Sequence, residues 1–501
     1  MSKITFISLG ISTDAIGIRI LSALLKQKGH QTQLVFLPTV DDIRRRSTRK
    51  AYTYTPEVIG RLVELAQGSQ LVGFSVMTHH ATIAKSLTQA LKGELAVPVI
   101  WGGIHPTSRP EECLGVADMV CQGEGETSML QLADRLDARE DPADILGIWT
   151  KRDGQIVPSP GAGPMTHDLD SLPFPDYDFN DHHLFSDDHI EPMTPENWRR
   201  HVLRFFPPFN KGDGPAYQVL SARGCPFSCS FCGEAPLHDR LYGKRYFRKR
   251  SVANLIKELE WATASLPSIS EICFCDDTFP SRSVDEIRDF CAQYKDRIHR
   301  PIYSLTSPAN VTREKVDLLV DAGLTNIGMG IQAGSPRIIS LYKREKVGSP
   351  EQSLAAARIF NAHRDRLLPF YDFIIENPYE TREDLLETVR LLISLPRPYE
   401  TRVYALSFFP GTPLYEKAAA DGILGDDLYD GTFGQRTKIG YLEFIIDLNQ
   451  HHLPKPLLRV LITRPLLFCF NRPRADGLFL GIRRAMKWVA LKLHIGERGL
   501  S

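Results

Sequence analysis

Net charge is the first thing this 501-residue chain lacks: Lys+Arg number 60 and Asp+Glu number 60. Without a whole-chain field, electrostatic capture of nucleic acid or of an anionic membrane by the protein as a whole is disfavoured. No run of about 18 uninterrupted apolar residues occurs, so no spanning helix is expected. The opening Met1-Ser-Lys-Ile-Thr-Phe-Ile-Ser-Leu-Gly10 is too short an apolar run for a secretory leader, which points to the cytoplasm. Repeats and low-complexity tracts are missing too. With 43% hydrophobic and 24% charged residues the chain is globular, and its length suits about two to four domains. Of its nine cysteines, an odd number, three lie within eight residues. That clustering fits a metal site in an intracellular chain better than a disulfide framework.

Residues 1–140 alternate strand and helix. Strand patterns cover Lys3–Leu9, Gln33–Leu37, Leu71–Val76, Val97–Trp101 and Met119–Cys121. Helical spacing covers Ala15–Gln27, Pro56–Ala66, Ala81–Leu91 and Thr127–Leu136. Five such units predict a doubly wound, Rossmann-like parallel sheet, which binds ligands at the carboxyl ends of its strands. Those ends carry Ser12, Thr13 and Asp14; Ser75 and Thr78; Gly102, Gly103 and His105; and Gly123, Glu124, Gly125 and Glu126.

A dinucleotide fingerprint is absent, because Gly10 is followed next by Gly17. Two carboxylates in the Gly123–Glu126 loop would also repel a pyrophosphate. Small residues and backbone amides suit a large ligand rich in neutral amides; the alternative is a set of tight turns that binds nothing. Residues 141–213 read as a connector. Asp153-Gly154 is the turn of a small hairpin, followed by a strap with Pro158, Pro160, Pro164, Pro173 and Pro175 among Leu172, Phe174, Tyr177 and Phe179.

After the Tyr217–Leu220 strand pattern, Cys225, Cys229 and Cys232 form a Cys-x3-Cys-x2-Cys loop. Iron–sulfur cubanes usually take four thiolates; three close cysteines hold three irons and leave the fourth open to another ligand. Zinc would need a fourth protein ligand, and His238 fits no common spacing. Inert cysteines are the remaining alternative. Downstream, strand patterns at Glu271–Cys275, Ile302–Thr306, Asn326–Ile331, Tyr371–Ile375 and Val403–Ser407 alternate with helical ones, predicting a partial (β/α)6 barrel of the TIM type. Asp276, Asp277, Thr306, Gln332 and Glu376 fall at its strand ends.

The triad, with Phe231 before its last cysteine and Gly233 after it, resembles the signature of radical S-adenosylmethionine (SAM) enzymes. The resemblance implies a [4Fe-4S] cluster on Cys225, Cys229 and Cys232, with SAM chelating the open iron. It implies SAM contacts from Phe231, Gly233, Asp276 or Asp277, Thr306, and Gln332 in a Gly330-Ile-Gln-Ala333 segment where the family has glutamate. The leading sheet, with Gly102-Gly103-Ile-His105 and Gly123-Glu-Gly-Glu126, is similar to the cobalamin domain of B12-dependent radical SAM enzymes. Its strand-end residues named above become cobalamin contacts. An Asp-x-His loop is absent, since Ile16 follows Asp14 by two, so no histidine is expected on the cobalt. Methylthiotransferases would need three further cysteines ahead of the triad, and only Cys113 and Cys121 are there.

The expected activity is a methyltransferase acting on an unactivated carbon through a 5′-deoxyadenosyl radical and methylcobalamin. A cyclase or rearrangement enzyme using the same cofactors is the alternative, and a non-catalytic corrinoid or cluster carrier the alternative of another class. No catalytic base is assigned, though Glu376 is a candidate. The substrate is a small or lipid-like molecule, and a flavodoxin or ferredoxin would supply electrons.

Residues 214–425 thus form the radical core and 426–501 a helical extension. The basic run Arg240, Lys244, Arg245, Arg248, Lys249 and Arg250 reads as a solvated loop capped by Ser251, not as a nucleic-acid patch. Arg44–Arg46 with Arg49 and Lys50 reads as a surface run. Cys273, Cys275, Cys291 and Cys469 read as buried hydrophobes. Residues 451–501 carry ten Lys/Arg against Asp476 and Glu497, a segment charge of +8. Pro456–Phe470 and Leu478–Ile495 are apolar between those charges, which suits either a cap over the barrel mouth or peripheral membrane contact.

Overall fold

The computed structural model describes residues 1–10, 15–37, 54–186, 188–201, 214–266, 268–424, 440–473, 476–479 and 481–482. The chain divides into two compact units, Met1–Phe279 with Ala292–Ile302 and Phe408–Phe433, and Pro280–Cys291 with Tyr303–Ser407 and Gly434–Ser501.

The first unit is organised by strands β1 (Lys3–Ser8), β2 (Gln31–Phe36), β3 (Leu71–Ser75), β4 (Val99–Gly102) and β5 (Met119–Cys121). They run parallel in the order β5-β4-β3-β1-β2. Their runs are apolar on both faces because helices cover both, as parallel sheets require; Ile4, Ile7, Leu34, Val35 and Val120 are fully buried. Strand order reverses between β1 and β3, the place where such sheets open a crevice for ligands.

The connector adds more than a strap. Strands β6 (Ile148–Arg152) and β7 (Gln155–Val157) form the expected hairpin at one edge, and β8 (His182–Ser186) and β9 (His189–Pro192) extend the other, giving nine strands. The stretch between these hairpins carries two short 3-10 turns, Leu169–Ser171 and Phe179–Asp181, and one bridge from Gly163 to Gly123. It is tied to the Ile16–Gln27 helix at Asp176, whose carbonyl accepts from Arg19 at 2.5 Å and whose carboxylate accepts from Ser22 at 2.5 Å and pairs with Lys26 at 2.9 Å. Burial alone would raise the Asp176 carboxyl; its bonds to His182, Ser22 and Lys26 hold it well below the usual range instead.

Two further strands of this unit, β10 (Ala216–Val219) and β13 (Glu271–Phe274), pair in parallel. Between them in sequence a two-stranded ribbon of β11 (Ala222–Arg223) and β12 (Arg248–Lys249) brackets the cysteine loop. Ser251 caps the following Val252–Ser265 helix by accepting from the Asn254 amide at 3.1 Å, as expected.

In the second unit β14 (Ile302–Thr306), β15 (Leu324–Gln332), β16 (Leu368–Ile375) and β17 (Glu400–Ala405) lie side by side. Three of the helices between them start at Thr312, Ser349 and Thr381, each hydroxyl accepting from a first-turn amide. Along the chain, strand followed by helix repeats six times from β10 to the Pro413–Ala420 helix. β15 begins two residues and β16 three residues earlier than the apolar pattern suggests; in β16, Pro369 interrupts that pattern without breaking the ladder. Gly328 sits where it must: a Cβ there would come within 2.7 Å of the Arg402 guanidinium. That guanidinium grips Asp372 through two bonds of 2.6 and 2.9 Å.

The apolar Pro456–Phe470 stretch resolves into two short helices, Lys455–Leu461 and Arg464–Phe470, broken around Thr463 with Pro465 at the second start. Most of Leu478–Ile495, and all of Arg44–Arg46, Arg49 and Lys50, lie outside the described residues.

Candidate active site

A cavity of about 370 Å³ opens in the first unit. One wall is the carboxyl end of the parallel sheet, with Phe6, Gly73, Ser75, Gly102, Gly103 and the Gly123–Glu126 loop. The other includes Ala222, Gly224, Glu234, Tyr246, Asp276 and Asp277, from the cysteine-loop region and the end of β13.

The sheet-side wall is thin for steric reasons. Phe6 lies opposite Gly73 in the β1–β3 ladder, and a Cβ at Gly73 would meet its ring at 2.8 Å. Gly103 holds φ +103° with the Val76 carbonyl 2.9 Å from where a Cβ would sit. Only glycine fits such a turn, so backbone rather than side chain faces the cavity there. At Gly17, which also lines the cavity, a Cβ would meet nothing within 4 Å.

Thr78 and His105 do not line this cavity. Both are buried in the turns after β3 and β4. Burial and the nearby Arg109 push the His105 imidazole down to about 4, so it is neutral at physiological pH. Ser12, Thr13 and Asp14 lie outside the described residues.

The two loop carboxylates are neutralised from the other wall. Arg223 and Arg248 stand directly opposite each other in the β11–β12 ribbon. Like charges in that register repel, but here both point at acids. Arg223 donates to Glu126 at 2.5 Å and lies 3.6 Å from Glu124; Arg248 pairs with Glu124 and donates to the Thr166 carbonyl at 2.5 Å. Burial opposes the Arg223 charge, and the Glu126 and Glu124 carboxylates overcome it, raising its pKa above the ordinary value. The Glu124 amide donates to the Tyr242 hydroxyl at 2.7 Å, which donates on to the Gly163 carbonyl at 2.8 Å. The basic run is therefore only partly solvated. Lys249 is exposed and Arg240 pairs with Glu416 at the surface, whereas Arg248 is 9% exposed and Arg250 pairs with buried Glu258.

The cysteine loop is held at both ends. Asp276 accepts from the Ser221 and Ala222 amides at 2.7 and 2.9 Å and from the Ser221 hydroxyl at 2.5 Å, which fixes the strand leading into the loop. Gly224 turns it at φ +78° under the Tyr246 ring. Beyond, the Cys232 amide donates to the Cys229 carbonyl at 3.1 Å, and the Leu414 amide to the Ser230 carbonyl at 2.9 Å. Phe231 is half-buried, and Gly233 approaches Ile104 of the β4 turn.

All three thiols are free of disulfides. Burial, with Asp277 nearby, pushes Cys225 up to about 12 and holds Cys232 well above the ordinary thiol value. Such thiols ionise only on a cationic centre, which is what an iron–sulfur cluster supplies. Among the described residues no three His, Cys, Asp or Glu side chains are placed to hold a single metal ion; a cubane asks instead for one thiol per iron. The donor set fits the cluster.

With Asp276 committed to the backbone, Asp277 and Glu234 are the carboxylates beside Cys225 and Cys232. Burial and the Asp276 charge raise Asp277; burial and the Asp277 charge likewise raise Glu234. Glu234 escaped the sequence reading although it directly follows the Cys-Gly pair. Cys275 lines the cavity half-buried and Cys469 is exposed, against the expectation of core packing; Cys273 and Cys291 are buried as expected. Cys275 ends up there because the chain leaves β13 one residue before it.

In the second unit, Thr306 is buried, and Gln332 takes φ +73° at a bulge in β15 with its side chain folded over Gly330. Glu376, just past β16, also has positive φ, at 54°. Non-glycine residues in that region carry strain that concentrates at functional sites.

Two family models match the chain: the B12 binding domain over residues 2–133 and the Radical SAM superfamily over residues 219–392. Over 421 residues it is 28% identical to the uncharacterized methyltransferase PH0819 of Pyrococcus horikoshii, covering 83% of this chain and 80% of that one. Over 340 residues it is 24% identical to the cobalamin-dependent radical SAM methyltransferase TokK of Streptomyces tokunonensis, covering 64% of this chain but only 44% of TokK. An anaerobic magnesium-protoporphyrin IX monomethyl ester cyclase of Rubrivivax gelatinosus is 25% identical over 306 residues, 59% of this chain and 48% of the cyclase.

Among solved structures the fold is similar to the methyltransferase TsrM of Kitasatospora setae, at TM-score 0.63 and 18% identity, with 88% of this chain and 78% of that chain covered. It is also similar to the cobalamin-dependent radical enzyme OxsB, at TM-score 0.64 and 15% identity over 98% and 72%. The radical SAM and B12-binding domains give this chain its cofactors, a [4Fe-4S] cluster, SAM and cobalamin. With a B12-binding sheet and a radical SAM core in one polypeptide, the chain belongs to the cobalamin-binding radical SAM enzymes.

Proposed function

We propose that this enzyme methylates an unactivated carbon, with cobalamin against the sheet-side wall and SAM against the cysteine-loop wall of one cavity. The observation that carries the reading is that shared cavity, lined at once by Gly102, Gly103 and Gly123–Glu126 and by Gly224, Asp276 and Asp277. Bound cobalamin supplies methyl-group carriage, and the cluster with SAM supplies hydrogen-atom abstraction; both need a site that excludes water. Cys225, Cys229 and Cys232 hold the cluster, Asp277 receives the SAM amino group, and Asp276 positions the loop. Phe6, Phe74 and Ile100 keep the corrin side apolar. A flavodoxin- or ferredoxin-type protein delivers the electron.

That PH0819 and TokK are named methyltransferases favours this reading. The cyclase relative supports a second one, ring closure with the same cofactors. Products separate them. Incubation with reductant, SAM and candidate acceptors is expected to yield S-adenosylhomocysteine and 5′-deoxyadenosine together with methylated product; 5′-deoxyadenosine without S-adenosylhomocysteine would favour cyclisation. No deoxyadenosine at all would leave a carrier.

The wall assignment has its own test. Leucine at Gly17 has room for its Cβ and gains helix propensity of about 0.8 kcal/mol, yet its side chain fills cavity space. Gly17→Leu is expected to keep or raise the unfolding midpoint while weakening cobalamin binding by more than about tenfold. Equilibrium dialysis showing unchanged affinity would move the corrin elsewhere.

A further inference from the structure

The C-terminal helices turn apolar side chains outward. Among the described residues ten large hydrophobic side chains are exposed, and five of them, Leu457, Val460, Phe468, Leu478 and Ile482, fall between positions 457 and 482. Their spacing is helical: Leu457 and Val460 share a face of the Lys455–Leu461 helix, as i and i+3. The Arg464–Phe470 helix buries none of its residues, and Phe468 is 70% exposed.

This exposure is not a failure to find a core. The same helices are anchored from inside by fully buried Leu458 and by an aromatic group in which the rings of Phe470 and Phe479 lie tilted against Tyr441 at 5.6 and 5.1 Å. An outer apolar face remains after the inner one is satisfied, and such a face marks an interaction surface.

Charge says what covers it. Arg459, Arg464 and Arg472 are exposed around the apolar residues, and the Arg472 guanidinium stands 4.1 Å over the Phe468 ring. Residues 451–501 sum to +8 (ten Lys/Arg against Asp476 and Glu497), so with a net charge of zero the other 450 residues sum to −8. Cations have been segregated onto the segment that shows apolar side chains.

We infer that this face docks on a bilayer bearing anionic lipids, apolar side chains in the headgroup boundary and arginines on lipid phosphates. Among the described residues no helix is long and apolar enough to cross a membrane. The inference is independent of the reaction proposed above.

Flotation of the full-length protein tests it, with vesicles of phosphatidylglycerol and phosphatidylcholine against phosphatidylcholine alone. Binding is expected on the anionic vesicles and about tenfold less on neutral ones. Raising sodium chloride from roughly 0.1 to 0.5 M should weaken it similarly. Leu457→Ser/Phe468→Ser/Leu478→Ser and, separately, Arg464→Glu/Arg472→Glu should each abolish flotation with cobalamin binding intact. No flotation, equal flotation on both vesicles, or wild-type flotation by both variants overturns the inference. So does a dimer without vesicles that the apolar variant dissociates, which would make the occupant a second copy.

Discussion

Cys229→Ser protein, reconstituted anaerobically with iron and sulfide, is expected to lose the cluster absorbance and to release no 5′-deoxyadenosine from SAM. Cys229 is the one of the three residues that is buried overall, at 7% exposure, and its carbonyl accepts the Cys232 amide that closes the loop. Serine keeps the size and offers an oxygen that irons of a cubane take poorly beside sulfur. With two ligands left, a fall of more than about 10³-fold follows, because the group that carries the chemistry has gone. Cobalamin binding should persist, since the sheet-side wall owes nothing to Cys229. Serine substitutions at Cys225 and Cys232 should behave alike, whereas Cys273→Ser, in the core of β13, should cost stability and leave the cluster in place.

Arg248→Met should lower stability by about 3–5 kcal/mol, the cost of leaving a buried charge without its partner. Glu124 is 9% exposed and would lose its principal cation while keeping the Thr166 amide at 2.8 Å. The paired change Arg248→Met/Glu124→Gln should recover much of that loss, because neither charge is then buried alone. Urea unfolding of the single and double variants measures both. A loss under about 1 kcal/mol for the single change would mean that the pair is solvated after all. Beyond stability, the clasp fixes the Gly123–Glu126 loop against the β11–β12 ribbon that precedes and follows the cysteine loop. Its loss should therefore loosen cobalamin binding as well.

These two sites differ in how far the residues announce them. The triad is local: three thiols in eight residues need no fold to be seen, and the apolar periodicities around them place most strands and helices to within a few residues. The clasp is not local. Glu124 and Arg248 are 124 positions apart, and Glu126 and Arg223 are 97 apart. Read alone, the acids repel a pyrophosphate and the bases form a solvated run; together they cancel.

The β8–β9 hairpin was hidden for another reason. His182-His-Leu-Phe-Ser186 alternates buried and half-buried residues, a half-covered edge strand, but it follows a proline-rich stretch whose composition dominates the segment. Asp276 and Asp277 are adjacent and alike in sequence. The hydrogen bonds show that Asp276 holds backbone, and the charge acting on Cys225 and Cys232 shows that Asp277 lies by the thiols.

The central claim is that one cavity places a corrin beside a cluster with an open iron. Electron paramagnetic resonance of protein loaded with cobalamin and reconstituted cluster tests it most directly. The account predicts that SAM alters the spectrum of the reduced cluster and that cob(II)alamin and the reduced cluster broaden each other's signals. A cluster spectrum indifferent to SAM, or two signals that simply add, would contradict it.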